Sequence, residues 1–323
     1  MKKVSIVIPC YNEEEALPLY FKAVDPVIKK IEDYEFGFVL VDDGSKDRTL
    51  EVMNELYMSR DDVTIVKESR NYGQNAALTA GLLTADGDYV VMMDVDLQDP
   101  VTLLKEICKR FSEGYEVVNP HRASRNEDSW FKRTTAGIFY KFINRLEGKK
   151  VIPENVNCFR GLSRKALDAL NALPEKDRYY VALVPLVGFK TTTIDFSREK
   201  RSAGSSKYHI SKMFQYAFNL ISVTTAKPLF LPIQIGAVLS CFNFVLTLLF
   251  LILALTLKNP FAFYLCFFVF LILFVMSILI FFMGINSLYL HNILINTRER
   301  PVTTIEKVYR PEDKKTEISK EDN

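Results

Sequence analysis

Asp94 and Asp96 flank a single valine directly after an apolar run, and Gln98 continues the alternation. In an extended segment, side chains two apart point the same way. Two carboxylates and a neutral amide oxygen then make a hard-oxygen set suited to Mg²⁺ or Mn²⁺, ions that bridge diphosphates. A bare D-x-D also fits a solvated turn; its place behind a wholly apolar strand and the following LQDP favour the metal. Asp42-Asp43-Gly44-Ser45 is a second acid pair behind an apolar run, able to contact a base or ribose or to cap the next helix. Pro9-Cys10-Tyr11-Asn12-Glu13 closes the first apolar run and would line the same base pocket. Asn71-Tyr72-Gly73-Gln74 sets a turn glycine before a helix whose first amides could face an anion.

Basic residues supply the opposite charge. Arg122 and Arg125 follow the strand-like EVVNP, and Lys132 and Arg133 open an amphipathic helix over about 130–146. Its apolar face (Phe131, Phe139, Phe142, Ile143, Leu146) suits either a membrane interface or the protein core. Arg201-Ser-Ala-Gly-Ser-Ser-Lys207-Tyr208 combines charge with small residues that let backbone amides approach an anion. The chain has neither a GxGxxG nor a GxxxxGK[ST] segment, so a dinucleotide cofactor and P-loop chemistry are unsupported. Its five cysteines (Cys10, Cys108, Cys158, Cys241, Cys266) form no CxxC pair, which argues against a zinc site or a disulfide framework and fits a reducing cytosolic setting. A net charge of +2 argues against nucleic-acid binding.

Alternating elements must hold these residues. VSIVIP (4–9), FGFVLVDD, VTIVKES and DYVVMMDVD read as buried strands. Helices are predicted from about Glu13 to Ile31, from a Ser45 or Asp47 cap through Leu56, and from Asn75 to Leu83. Strand and helix in alternation give a mostly parallel sheet with helices on both faces. Ligands of such sheets bind at the carboxyl ends of the strands, where Asp42-Asp43 and Asp94-Asp96 should converge.

Composition changes near Pro228. Between Lys227 and Arg298 the only Asp, Glu, Lys or Arg is Lys258. Leu229–Leu257 and Phe261 to about Leu290 each exceed the roughly 20 apolar residues that span a bilayer, and Lys258-Asn259-Pro260 joins them as a hairpin turn. Lys200, Arg201, Lys207, Lys212 and Lys227 precede the hairpin, and Arg298, Arg300 and Lys307 follow it. The excess of bases at both ends predicts cytoplasmic termini and a cytoplasmic N-terminal domain. The expected organisation is a catalytic domain over 1–205, a juxtamembrane helix over 206–228, two transmembrane helices over 229–295 and a tail over 296–323, disordered from about Arg310. The chain opens on a strand, without the pattern of a signal peptide.

SIVIPCYNEEEAL, VDDGSKDRT, RNYGQNAALTAGL, DVDLQDP and RSAGSSKY stand in this order on one chain. Together they resemble the family-2 glycosyltransferases of the GT-A fold. The branch resembled is the polyprenyl-phosphate glycosyltransferases, which include bactoprenol glucosyltransferases, dolichyl-phosphate mannose synthases and aminoarabinose transferases. The resemblance runs over nearly the whole chain, through the hairpin and the ERP-V-T that follows it. It implies that Asp94, Asp96 and Gln98 hold a divalent metal, Mg²⁺ or Mn²⁺, and that Asp42 or Asp43 contacts the nucleotide. Pro9, Tyr11 and Glu13 correspond to the base pocket, with Asn71, Gln74 and Asp94 also on the nucleotide-sugar side. Arg201 and Lys207 resemble the basic loop that closes on the phosphates; Arg122, Lys132 and Arg133 resemble the lipid-phosphate site. Cys158-Phe159-Arg160-Gly161 stands where many bactoprenol glucosyltransferases have Asp-Phe-Arg-Leu, so an acidic base is missing and Arg160 reads as an orienting or phosphate-binding group.

The implied activity is inverting transfer of a sugar, UDP-linked glucose or N-acetylglucosamine, to undecaprenyl phosphate at the plasma membrane, by a homo-oligomer such as a tetramer. A phosphate monoester with a second pKa of about 6 is already an anion near neutral pH and needs no base. Aminoarabinose-type pentosyl transfer to the same lipid is an alternative. So is a membrane polysaccharide synthase, although QxxRW is absent and two helices offer no channel. A non-enzymatic flippase partner is a third, against which the intact Asp94, Asp96 and Gln98 weigh.

Overall fold

The computed structural model describes residues 1–122, 158–176, 178–196, 261–298 and 300–314, together with positions 235, 238, 242 and 245. The strands are β1 (Lys2–Cys10), β2 (Tyr34–Asp42), β3 (Val63–Glu68), β4 (Tyr89–Met92), β5 (Val117–Arg122), β6 (Arg160–Ser163), β7 (Thr191–Phe196) and β8 (Ile305–Tyr309). The helices are α1 (Ala16–Ile28), α2 (Thr49–Ser59), α3 (Gln74–Thr84), α4 (Leu103–Ser112), α5 (Arg164–Asn171), α6 (Tyr180–Leu186) and α7 (Phe261–Thr297).

Eight strands form one sheet in the order β7-β5-β6-β4-β1-β2-β3-β8. The predicted strands β1 to β4 pair in parallel, whereas β6 and β8 run antiparallel to their neighbours. Alternation along β1 and β2 divides the core between the two faces, as a period of two requires. Ile6, Ile8, Phe38 and Leu40 pack on one face; Val7, Val39 and Val41 pack on the other against Ala77, Leu78 and Ala80 of α3. Small residues bring α3 close: a Cβ on Gly81 would lie 2.3 Å from Val7 Cγ1.

Three sequence expectations change. The first helix is shorter than 13–31. The fourth strand ends at Met92, so Asp94 to Leu97 form a turn rather than an extended run. Regular structure continues past Arg310 as far as residue 314: β8 pairs with β3, Tyr57 donates its hydroxyl proton to the Arg310 carbonyl at 2.7 Å, and residues 311–314 form a helical turn, the rest of the tail lying outside the described residues. An exposed β3 edge with free ladder groups is a template for such a strand.

Among the described residues one helix is long and apolar enough to cross a membrane, its span running Phe274–Thr297 with only 6% of the apolar window buried. It belongs to the 37-residue α7, about 55 Å long at 1.5 Å per residue. The first arm of the expected hairpin falls outside the described residues except for Ile235, Val238, Phe242 and Val245, which are helical and exposed.

Candidate active site

The carboxyl ends of β1 and β2 are stitched together by their own loops. Asn12, in a left-handed conformation (φ 56°), donates its amide to Ser45 Oγ at 3.1 Å and accepts from the Lys46 amide at 2.8 Å. The Glu13 amide reaches Thr49 Oγ1 at 2.7 Å, and Glu14 accepts from the Arg48 amide at 3.0 Å. Asp47 accepts from the Thr49 amide at 3.0 Å and so holds the first turn of α2, while the Ser45 hydroxyl is used on the neighbouring loop. Within this frame Pro9 and Glu13 are half-buried and Tyr11 is exposed.

Asp42 and Asp43 are buried, at 2% and 3% exposure. Asp42 accepts from the Ser45 amide at 3.1 Å. Asp43 accepts from the amides of Tyr72 at 2.6 Å and Gly73 at 3.0 Å, and its carboxyl faces that of Glu68. Asp43 thus anchors the Asn71–Gln74 segment to β2. Gly44 permits the approach: its φ is +64°, and a Cβ there would meet Arg70 C and Asn71 N at 2.5 Å. Burial raises the Asp43 carboxyl above its ordinary range, against the pull of the two amides and of the facing Glu68 carboxyl. Burial, then the Asp43 contact, brings Glu68 up to about 8, while a hydrogen bond donated by Thr303 opposes the shift. Sequence reasoning missed Glu68; its signal, an acid closing an apolar strand, is the one that drew attention to Asp42.

The second acid pair differs. Asp94 and Asp96 are half-buried around the buried Val95, so both acids stand on the open side although the segment is a turn. Leu97 carries the turn at φ 56°, a strained conformation for a bulky residue that costs about 1–3 kcal/mol and is typical of functional sites. Asp94 accepts from Gln74 Nε2 at 2.8 Å, and Asp96 accepts from the Gln98 amide at 3.1 Å. Among the described residues no three His, Cys, Asp or Glu side chains cluster as a metal cage. Two carboxylates in a strained turn still fit a cation of the Mg²⁺ class, which keeps waters and substrate phosphate oxygens in its shell.

Beside this turn lies a cavity of about 600 Å³. Gly73, Gln74 and Asn75 at the start of α3 line it together with Cys158, Lys176, Arg178, Arg298 and Arg300. Its four described charged residues are all basic, and the first amides of α3 lack carbonyl partners within their own helix. Burial, then the Asp94 charge, pushes the Cys158 thiol up to about 12, which keeps it protonated and makes it no substitute for a carboxylate base. The Lys176 amide bonds Asn296 Oδ1 at 3.0 Å and so ties the end of α7 to this wall.

Arg160 is fully buried in β6 and donates to the Tyr180 carbonyl at 3.0 Å, bracing α6 rather than opening to the crevice. Arg122 ends β5, with backbone pairing to Phe196. Lys132, Arg133, Arg201, Lys207 and the helix over 130–146 lie outside the described residues.

A family model described as "Glycosyl transferase family 2" matches residues 5–170. The SfII prophage-derived bactoprenol glucosyl transferase of Shigella flexneri is 34% identical over 308 residues, 95% of this chain and 99% of its own. The undecaprenyl-phosphate 4-deoxy-4-formamido-L-arabinose transferase of Proteus mirabilis is 33% identical over 311 residues, covering 95% and 94%. Among solved structures, glucosyl-3-phosphoglycerate synthase from Mycobacterium tuberculosis, in complex with Mn²⁺, UDP-glucose and phosphoglyceric acid, superposes with a TM-score of 0.50 at 18% identity, over 70% of this chain and 79% of that one. That likeness identifies the sheet and its flanking helices as GT-A-like. The chain belongs to glycosyl transferase family 2, in the branch of enzymes named for sugar transfer to bactoprenol and undecaprenyl phosphate.

Proposed function

We propose that the protein transfers a sugar from a nucleotide-sugar to a polyprenyl phosphate, with inversion at the anomeric carbon. One observation carries this reading: the basic cavity reaches from Gln74, the partner of Asp94, to Arg298 at the end of the apolar α7. An anionic group carried by a membrane lipid would enter there and meet the acid turn. Asp94 and Asp96, with Gln98, would hold a Mg²⁺ or Mn²⁺ ion, whose charge eases departure of the nucleoside diphosphate. Pro9, Tyr11 and Glu13 would face the base, with Asp42 behind them.

Lys176, Arg298 and Arg300 neutralise the incoming phosphate in this scheme, and Arg122, Lys132, Arg133, Arg201 and Lys207 are further candidates for phosphate contacts. An oxygen of the acceptor phosphate attacks the anomeric carbon opposite the leaving diphosphate. The glycosidic carbon–oxygen bond to the nucleotide breaks as the bond to the lipid phosphate forms. No base takes part, because the acceptor oxygen is already an anion; positioning and charge neutralisation do the work. With α7 in the bilayer, the catalytic domain would lie on the cytoplasmic side of the plasma membrane.

The test is chloroform-extractable radiolabel from a panel of UDP-sugars with undecaprenyl phosphate. Labelled lipid from one sugar, abolished by chelator and restored by Mn²⁺, is expected. Absence of lipid product from every donor would overturn the reading. The relatives' names divide between glucose and a formamido-arabinose, and the same panel tells hexosyl from pentosyl transfer.

A further inference from the structure

We propose that Glu68 is a positioning residue that acts as a neutral acid: it donates a hydrogen bond to the Asp43 carboxylate and thereby fixes the segment that holds Asp94. Three acids share one dry place. Glu68, Asp42 and Asp43 are 1%, 2% and 3% exposed. Among the described residues no lysine, arginine or histidine forms an ion pair with Glu68; Lys67, its neighbour in sequence, pairs with Glu306 instead. Carboxylates packed this way cannot all ionise.

Hydrogen bonding decides where the proton stays. Asp43 takes the Tyr72 and Gly73 amides, donors that favour its charged form. Glu68 takes only the Thr303 hydroxyl on Oε1, and its buried Oε2 accepts from no donor. A proton on Glu68 turns that orphan oxygen into a donor for Asp43, the carboxyl it already contacts. The contacts continue in both directions. Asp43 holds Tyr72 and Gly73, the next residue is Gln74, and Gln74 holds Asp94 at 2.8 Å. On the other side Thr303 belongs to the segment between α7 and β8, where the Thr304 carbonyl accepts the Ser69 amide at 3.0 Å. The seat of Asp94 therefore depends on a strap that begins at the end of the apolar helix.

The inference rests on the proposed role of Asp94 for its activity arm only. Glu68→Gln keeps a donor toward Asp43 and an acceptor for Thr303 without titrating. Wild-type kcat/KM should fall as the medium passes pH of about 8, where Glu68 ionises beside Asp43. A misplaced Asp94 makes that loss on the order of tenfold or more. Glu68→Gln should remove this alkaline limb, and Thr303→Val, which takes away a hydrogen bond favouring the charged form, should move it to higher pH.

Two readouts need no sugar transfer. The infrared band of a buried protonated carboxyl should be present at neutral pH in the wild type and reduced in Glu68→Gln. The thermal midpoint should behave in step. A carboxyl raised in the folded state holds an extra proton, so its contribution is full below its ordinary pKa of 4.5 and is lost as pH rises through about 8. Glu68→Gln should flatten that slope. An unchanged infrared band, or an alkaline limb and midpoint slope that persist in Glu68→Gln, would overturn the assignment. Loss of transfer at every pH in the wild type, with band and slope as expected, would sink the proposed function and leave Glu68 standing.

Discussion

Two acid pairs end two neighbouring regions of the sheet, and they have opposite surroundings. Asp42 and Asp43 lie in the protein floor, with Asp43 held by two amides and a neighbouring carboxyl. Asp94 and Asp96 stand half-open in a strained turn, beside a cavity lined with bases. In the first pair hydrogen bonds go to the fold itself, Asp42 taking the Ser45 amide and Asp43 those of Tyr72 and Gly73. In the second the chain bears conformational strain to leave carboxylates near solvent. Acids behind strands thus differ in what surrounds them: one pair is buried and braces loops of the crevice, the other stays half-open beside it.

The contrast can be broken by substitution. Asp96→Ala should lower sugar transfer about 10²–10³-fold or more, as loss of a preorganised charge-stabilising element does, while the thermal midpoint hardly moves. Radiolabel transfer and a melting curve on the same preparation test both halves. Asp43→Ala should do the reverse in stability, leaving two half-buried amides without their acceptor at about 1 kcal/mol each, seen as a lower denaturation midpoint. A fully stable Asp43→Ala protein would erase the distinction. Gly44→Ala forces a side chain into a left-handed residue against the backbone of Arg70 and Asn71. It should cost about 2 kcal/mol in the same melt. Asp47→Ala removes a helix-start acceptor and should cost about 1 kcal/mol, with transfer close to wild type.

The parallel half of the sheet was legible because each strand is one short apolar run and each loop follows in sequence. VSIVIP and FGFVLV needed no distant partner to be recognised. The shape of the acid turn was not legible: DVD continues the apolar pattern, and nothing local announces the left-handed Leu97. Glu68 escaped notice because its surroundings come from afar, Asp43 from β2 and Thr303 from 235 residues downstream. Likewise β8 is a short strand rich in charge that reads as tail until β3 offers it an edge. Arg160 reads in the sequence as an orienting or phosphate-binding group; its full burial and its bond to the Tyr180 carbonyl, 20 residues on, are set only by the fold.

The position of β8 in the chain has a consequence for biogenesis. Synthesis runs from the N-terminus, and domains fold as they emerge. Strand β3 ends at Glu68, yet the strand that covers its edge begins at Ile305, beyond the long apolar helix. The nascent catalytic sheet therefore has an uncovered border until the apolar helix has left the ribosome. Emergence of that helix and completion of the sheet are successive steps of one synthesis, and a polypeptide cut short after the helix would keep an adhesive edge.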